Sequence, residues 1–312
     1  MMNFGLRQVD LCRFTDHVIT QASPDDFDFS AGNNDGVRRV FLSLTANSVN
    51  RKNSLRLGDN TESEFIYIIL FGNDDEIVQN IDTEIVIGNN SKLSFYVCCA
   101  GTSASTVNHK ISFKIGSDTT VMFSNAAIAG KSVATNLTVD FLGKNSAFES
   151  PAILMPWQDE SFKFESVINH NVPRCTSQQT VRTVVDGNGV SDFYGLIKVA
   201  QDSQKSETEQ VNNNILLSAD AHAFSKPQLE IYADDVKCSH GSTTGMLDKE
   251  ALFYMRSRGI SETTAQNLLI EAFIQEIVDK VAPADYKAYL EEAITLKLSL
   301  RHQDNKNNQH II

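Results

Sequence analysis

Apolar and polar residues alternate along most of the chain, from about Val37 to near Lys237, in runs too short for helices. Glu84-Ile85-Val86-Ile87, Ser112-Phe113-Lys114-Ile115 and Val121-Met122-Phe123 are examples. This period of two puts apolar side chains on one face of an extended strand. A turn recurs between the runs. Its copies are Leu57-Gly58-Asp59-Asn60-Thr61, Ile87-Gly88-Asn89-Asn90-Ser91, Ile115-Gly116-Ser117-Asp118-Thr119 and Leu142-Gly143-Lys144-Asn145-Ser146. The glycines follow one another at 30, 28 and 27 residues. A fixed period in this range marks a stacked array, in which coils that cannot bury their apolar side alone share one core. Gly and Asn tolerate the left-handed backbone of a tight corner. The pattern predicts a mainly β body of stacked coils, a β-helix; a β-sandwich of recurring hairpins is the alternative. Residues 202–210 (DSQKSETEQ) read as a polar loop or bulge.

Past Gly245 the period becomes helical. Asp248 is suited to cap a helix over Lys249–Ser257 that stops at Gly259. Ser261 can cap a second, over Glu262–Lys280, and Pro283 suits the first turn of a third reaching about Leu300. The second helix carries two apolar stripes, one through Ala265, Leu268, Leu269, Ala272, Phe273, Ile277 and Val281, the other through Ile270, Ile274 and Val278. One stripe suffices to dock a helix, so the extra one packs within the helical unit or receives another protein. The organisation expected is a short helical segment over 1–25, a β-helix over 26–245, a small α-helical domain over 246–300 and a flexible tail over 301–312. His302 and His310 in that tail read as solvated.

The formal net charge of −12 argues against nucleic-acid binding, which needs a basic face. No apolar stretch is long enough to span a bilayer, and the first residues lack a signal peptide's apolar core, so the cytoplasm, or else an organelle interior, is the expected compartment. Five cysteines without a C-x-x-C pair suit a reducing environment. Adjacent Cys98 and Cys99 face opposite sides of one strand.

Phosphate-loop, dinucleotide, nucleophile-elbow and H-E-x-x-H motifs are all missing. Cys238-Ser239-His240 stands out, because residues two apart on a strand point the same way and a thiolate and an imidazole can then address one metal. Two donors do not close a site that ordinarily takes four. A purely structural role for the pair is the other reading, as it is for His170 and His222. Asp234-Asp235 suggests acid–base chemistry on a polysaccharide, although neighbours in a strand diverge.

The run from Ser225 to Ile260, S-K-P-Q-L-E-I-Y-A-D-D-V-K-C-S-H-G-S-T-T-G-M-L-D-K-E-A-L-F-Y-M-R-S-R-G-I, resembles the signature of the SufD family of iron–sulfur cluster assembly proteins. His170-x-x-Pro173, Thr176-Ser177, Gln204-Lys205 and Gln210-x-Asn212-x-x-Ile215-Leu216-Leu217 agree, so the similarity is strong over about 165–282. Asn212, Asn213 and Asn214 stand where the related SufB carries a cysteine, and His240-Gly241 where it has His-Glu. The resemblance implies a right-handed parallel β-helix followed by a C-terminal helical domain. It implies a non-catalytic scaffold that pairs with SufB through the β-helix ends and leaves open a homodimer when isolated. It further implies that the ATPase SufC is held through Leu252, Phe253, Tyr254, Arg256, Arg258 and Phe273. The family's metal-site histidine falls on His240 and its neighbouring cysteine on Cys238, facing a transient iron–sulfur cluster shared with SufB. The chain departs from the family in having little before its β-rich body.

Overall fold

The computed structural model describes residues 28–31, 38–45, 48–71, 76–100 and 104–308. The helix expected within 1–25, Cys12 and His310 lie outside them, as does the side chain of His302. Sixteen strands follow in the described residues. The first eight are β1 (Asp28–Ala31), β2 (Arg38–Thr45), β3 (Val49–Leu57), β4 (Glu62–Phe71), β5 (Val78–Ile87), β6 (Lys92–Ala100), β7 (Thr106–Ile115) and β8 (Thr120–Ala129). They continue as β9 (Ser132–Phe141), β10 (Ala147–Leu154), β11 (Ser161–His170), β12 (Thr176–Val185), β13 (Val190–Val199), β14 (Glu207–Leu216), β15 (His222–Ile231) and β16 (Lys237–Gly245). Odd-numbered strands form one all-parallel sheet and even-numbered strands another, each coil adding one strand to both. The fold is thus a parallel β-solenoid and not a sandwich of hairpins.

Burial follows the sequence period. β5 and β7 alternate buried and open positions, since one face meets the core and the other meets water. The interior is filled by stacked rings, with Phe95, Phe113, Phe123 and Phe148 in contact along the axis. β6, β8 and β10 begin with the same alternation and end buried on both faces. Their outward Cys98, Ile128 and Ile153 lie under the helices, whereas Cys99, Ala127 and Leu154 face the core. The two adjacent cysteines do point opposite ways, and both are buried.

The recurring turn forms one corner of four successive coils. Its asparagine or aspartate takes the left-handed conformation, at Asn60, Asn90, Asp118 and Asn145 with φ between 52° and 60°. Arg174 and Lys205 take the same place in later coils. The glycine serves closeness instead: a Cβ on Gly143 would stand 1.9 Å from Ser117 N and 2.3 Å from Gly116 C. The column is knitted by side chains, with Asn90 Nδ2 donating to Asn60 Oδ1 at 2.7 Å and Asn145 Nδ2 to Asp118 Oδ1 at 2.9 Å. A hydroxyl column runs beside it, in which Ser91, Thr119 and Ser146 donate to the carbonyls of Gly58, Gly88 and Gly116. Cys175 continues it one coil on, its Sγ 3.4 Å from the Gly143 carbonyl.

The strands extend beyond two of the expectations. Residues 207–210 open β14 and are not part of a loop, because Thr208 and Gln210 turn their polar groups inward. The β body runs past Lys237, which begins β16. Asp234 and Asp235 sit in an exposed corner between β15 and β16, not in a strand.

Three helices follow, α1 (Lys249–Ser257), α2 (Glu262–Asp279) and α3 (Ala284–Asn308). Asp248 and Ser261 cap the first two as anticipated, and Gly259 adopts φ +88° at the end of α1. α3 outruns the expected boundary at 301. Ile270, Ile274 and Val278 of α2 pack against the outer face of the even-numbered sheet. The second stripe therefore docks, joined by Ile277 and Val281 of the first, whose Leu268 and Ala272 stay exposed. α3 is fastened by Tyr286, whose hydroxyl donates to the Val97 carbonyl at 3.1 Å. It is fastened again by two ion pairs, Lys297 with Glu160 and Arg301 with Asp186. Lys297 also lies 5.2 Å above the Trp157 ring. No described helix is long and apolar enough to cross a membrane.

Candidate functional site

β14 presents Thr208, Gln210, Asn212 and Asn214 to the interior, all buried. In-register pairing places Cys238 over Thr208, His240 over Gln210, Ser242 over Asn212 and Thr244 over Asn214. Cys238 and His240 therefore belong to the inward-facing row of β16, as their spacing predicts. Ser242 Oγ donates to Ser225 Oγ of β15 at 2.7 Å, which closes the last coil across the two sheets. β15 and β16 are the edge strands of their sheets. An inward-facing side chain on this coil is thus uncovered: His240 is exposed, and Cys238 is half-buried against the end of the core.

Two polar columns lead down from this pair. Under Cys238, Ser177 Oγ donates to Thr208 Oγ1 at 2.8 Å, and His170 Nε2 lies 2.9 Å from Ser177 Oγ. Under His240, Gln210 Nε2 and Ser166 Oγ both donate to Gln179 Oε1, at 2.8 and 2.9 Å. Burial pushes the Cys238 thiol above its ordinary value. A metal that displaced its proton would make it a thiolate donor. Burial drives His170 down to about 4, so that imidazole is a neutral member of the core. Its ring packs against Phe141, centroids 4.7 Å apart and planes tilted by 40°. His222 stacks on Phe224 on the outer face of β15.

Thiolate and imidazole suit iron. Among the described residues no group of three or more His, Cys, Asp or Glu is placed to hold a metal ion. The pair lies on an open rim, and as a donor set it would be incomplete.

The residues anticipated for ATPase contact are partly gathered. α1 buries none of its residues. Phe253 is 74% exposed and Tyr254 60%. Arg258 lies 5.3 Å over the Tyr254 ring, Arg256 pairs with Glu262 at 3.4 Å, and Leu252 is half-buried. Phe273 lies apart on α2, 5.3 Å beneath the guanidinium of Arg182 on β12.

The SufBD core domain of the SUF system for FeS cluster assembly matches residues 41–273. The chain belongs to the SufBD family. This SufBD chain is 39% identical to the iron–sulfur cluster assembly protein SufD of Escherichia coli over 165 residues, 53% of the chain and 39% of that relative. A SufBD-family protein of Synechocystis is 37% identical over 132 residues, covering 42% of the chain and 29% of the relative. One from Mycobacterium leprae is 29% identical over 194 residues, covering 60% and 50%. The matched segments span half or less of these curated relatives.

The buried columns of this SufBD chain escaped sequence reasoning. Thr208-x-Gln210-x-Asn212-x-Asn214 carries polar residues at the period of a strand, on the face that elsewhere holds phenylalanine. That reversal of the inward pattern was the available signal.

Proposed function

We propose that the chain is a non-catalytic scaffold of iron–sulfur cluster assembly, which lends His240, with Cys238 beside it, to a nascent cluster shared with a SufB-like partner. The observation that carries this reading is the inward row of the last coil, which ends uncovered with a soft and a borderline donor side by side. Two donors fall short of a full set, and the partner supplies the others. The cluster is transient cargo and leaves when the two chains part.

The partner docks on the coil end. The unpaired edges of β15 and β16 offer backbone groups to another strand. Phe224, Ile231 and Tyr232 around that end are exposed apolar groups for it to cover. Without that partner the same end pairs two copies of the chain. A SufC-like ATPase docks on Phe253 and Tyr254 of α1 and on Leu268 of α2, and its hydrolysis drives the movement.

His240→Ala tests the proposal in the complex purified with its partners. The variant assembles like the wild type, and iron and acid-labile sulfide in the product fall to background. A normal cluster yield would sink the proposal.

A further inference from the structure

The Gln210 amide beneath His240 has a direction. Gln210 sends its Nε2–H toward the earlier coil, to Gln179 Oε1. Its Oε1 is buried and has no hydrogen-bond partner. With its Nε2 committed to the earlier coil, this oxygen is left for a donor from the coil above. The residue in register there is His240. The Gln210 side chain is also held in place. A Cβ on Gly195 would stand 2.3 Å from Gln210 Nε2 and 2.7 Å from its Cδ, so the amide lies flat against a position that only glycine leaves open. Ser166 anchors the column's foot through Gln179.

We infer that Gln210 is a positioning residue for His240, its Oε1 accepting one ring N–H of the imidazole. The inference rests on the proposed role of His240 and adds how the ligand is prepared. A neutral imidazole has one N–H and one lone pair. Fixing the N–H on the column turns the lone pair to the open rim, toward the metal. Metal-bound histidines ordinarily donate their other N–H to such an acceptor, and losing it weakens metal binding by about 10- to 100-fold. A buried acceptor without a donor is unfavourable, which draws the imidazole inward before any partner arrives.

The test uses the full chain with 15N-labelled histidine, free of metal, at about pH 8.5, where an ordinary imidazole is neutral. Long-range 1H–15N correlation reads the tautomer, and His240→Ala assigns the signal. The wild type shows one tautomer at His240. Gln210→Leu, with its fold checked by circular dichroism, shows averaged nitrogen shifts, and Gln210→Glu, which keeps an oxygen acceptor, restores the single tautomer. Averaged shifts in the wild type, or a single tautomer kept in Gln210→Leu, would overturn the inference. If Gln210→Leu does not fold, Gly195→Ala decides: displacing the amide must average the shifts, and an unchanged tautomer refutes the inference. These spectra are independent of cluster yield, so they separate a failure of the column from a failure of the scaffold reading.

Discussion

Acid should weaken this solenoid from inside, through two histidines. His109 and His170 are both fully buried, and burial lowers each from 6.5 to about 4. His109 keeps one hydrogen bond, to Thr83, and His170 one, to Ser177. The unfolded chain binds a proton near the ordinary imidazole value, and the folded chain resists it until about pH 4. Stability from each is therefore full above about pH 6.5 and is lost as pH falls through the folded value. A drop of about 2.5 units corresponds to roughly 3.4 kcal/mol per histidine once pH is below 4, and roughly 2 kcal/mol at pH 5. Together the pair removes roughly 4 kcal/mol between pH 7.5 and pH 5. Lys114 holds Glu84, and Lys287 holds Asp279, below the ordinary carboxylate range, so these pairs break at more acid pH. Urea unfolding at the two pH values measures the loss, and His170→Asn should remove about half of it. Proton titration of the His170 ring by NMR gives its own reading. A ring titrating near the ordinary value, or a pH-dependent loss that His170→Asn leaves unchanged, would refute the reasoning.

Gly143→Ala drives a methyl into the backbone of Ser117 and should cost about 3 kcal/mol in urea unfolding. Gly241→Ala, with nothing within 4 Å, should stay within about 0.5 kcal/mol. Lys297→Met strands Glu160 in a largely buried site and should cost about 3–5 kcal/mol, most of it recovered when Glu160→Gln is added. Phe253→Ala with Tyr254→Ala should leave stability within about 0.5 kcal/mol, since both rings are exposed, and abolish co-purification of the proposed SufC-like partner.

The solenoid was legible because its corners repeat. A residue that must be small or left-handed at these corners leaves its mark in Gly88, Gly116 and Gly143, and in Asn60, Asn90 and Asn145. The first two helices were legible from their caps, Asp248 and Ser261, which accept backbone N–H groups. Which apolar residues of α2 dock was not legible, because Ile270 and Leu268 are equally apolar and only the facing sheet chooses between them. The runs Tyr96–Ala100 and Ala126–Ala129 already held the cover of α3, being apolar on both faces, a sign of strands buried twice. At the candidate site, the shared face of Cys238 and His240 followed from the period of two. Their polar support did not, because Gln179, Gln210 and His240 are brought together by coil register, and small differences in coil length set that register.

The attachment of α3 decides how force would travel. Its anchors, Tyr286 on β6 and Lys297 and Arg301 on neighbouring coils, grip the flank of the barrel and leave its tip free. Two strand spacings, roughly 10 Å, separate β12, the last anchored strand, from β16. A torque applied through the helices would swing these last coils as a short stiff lever, and a tilt of about 10° at β12 would carry the tip through roughly 2 Å. That matches the length of a metal–nitrogen bond, about 2 Å, so a small rotation at the fulcrum would strain any ligand held by His240 as proposed.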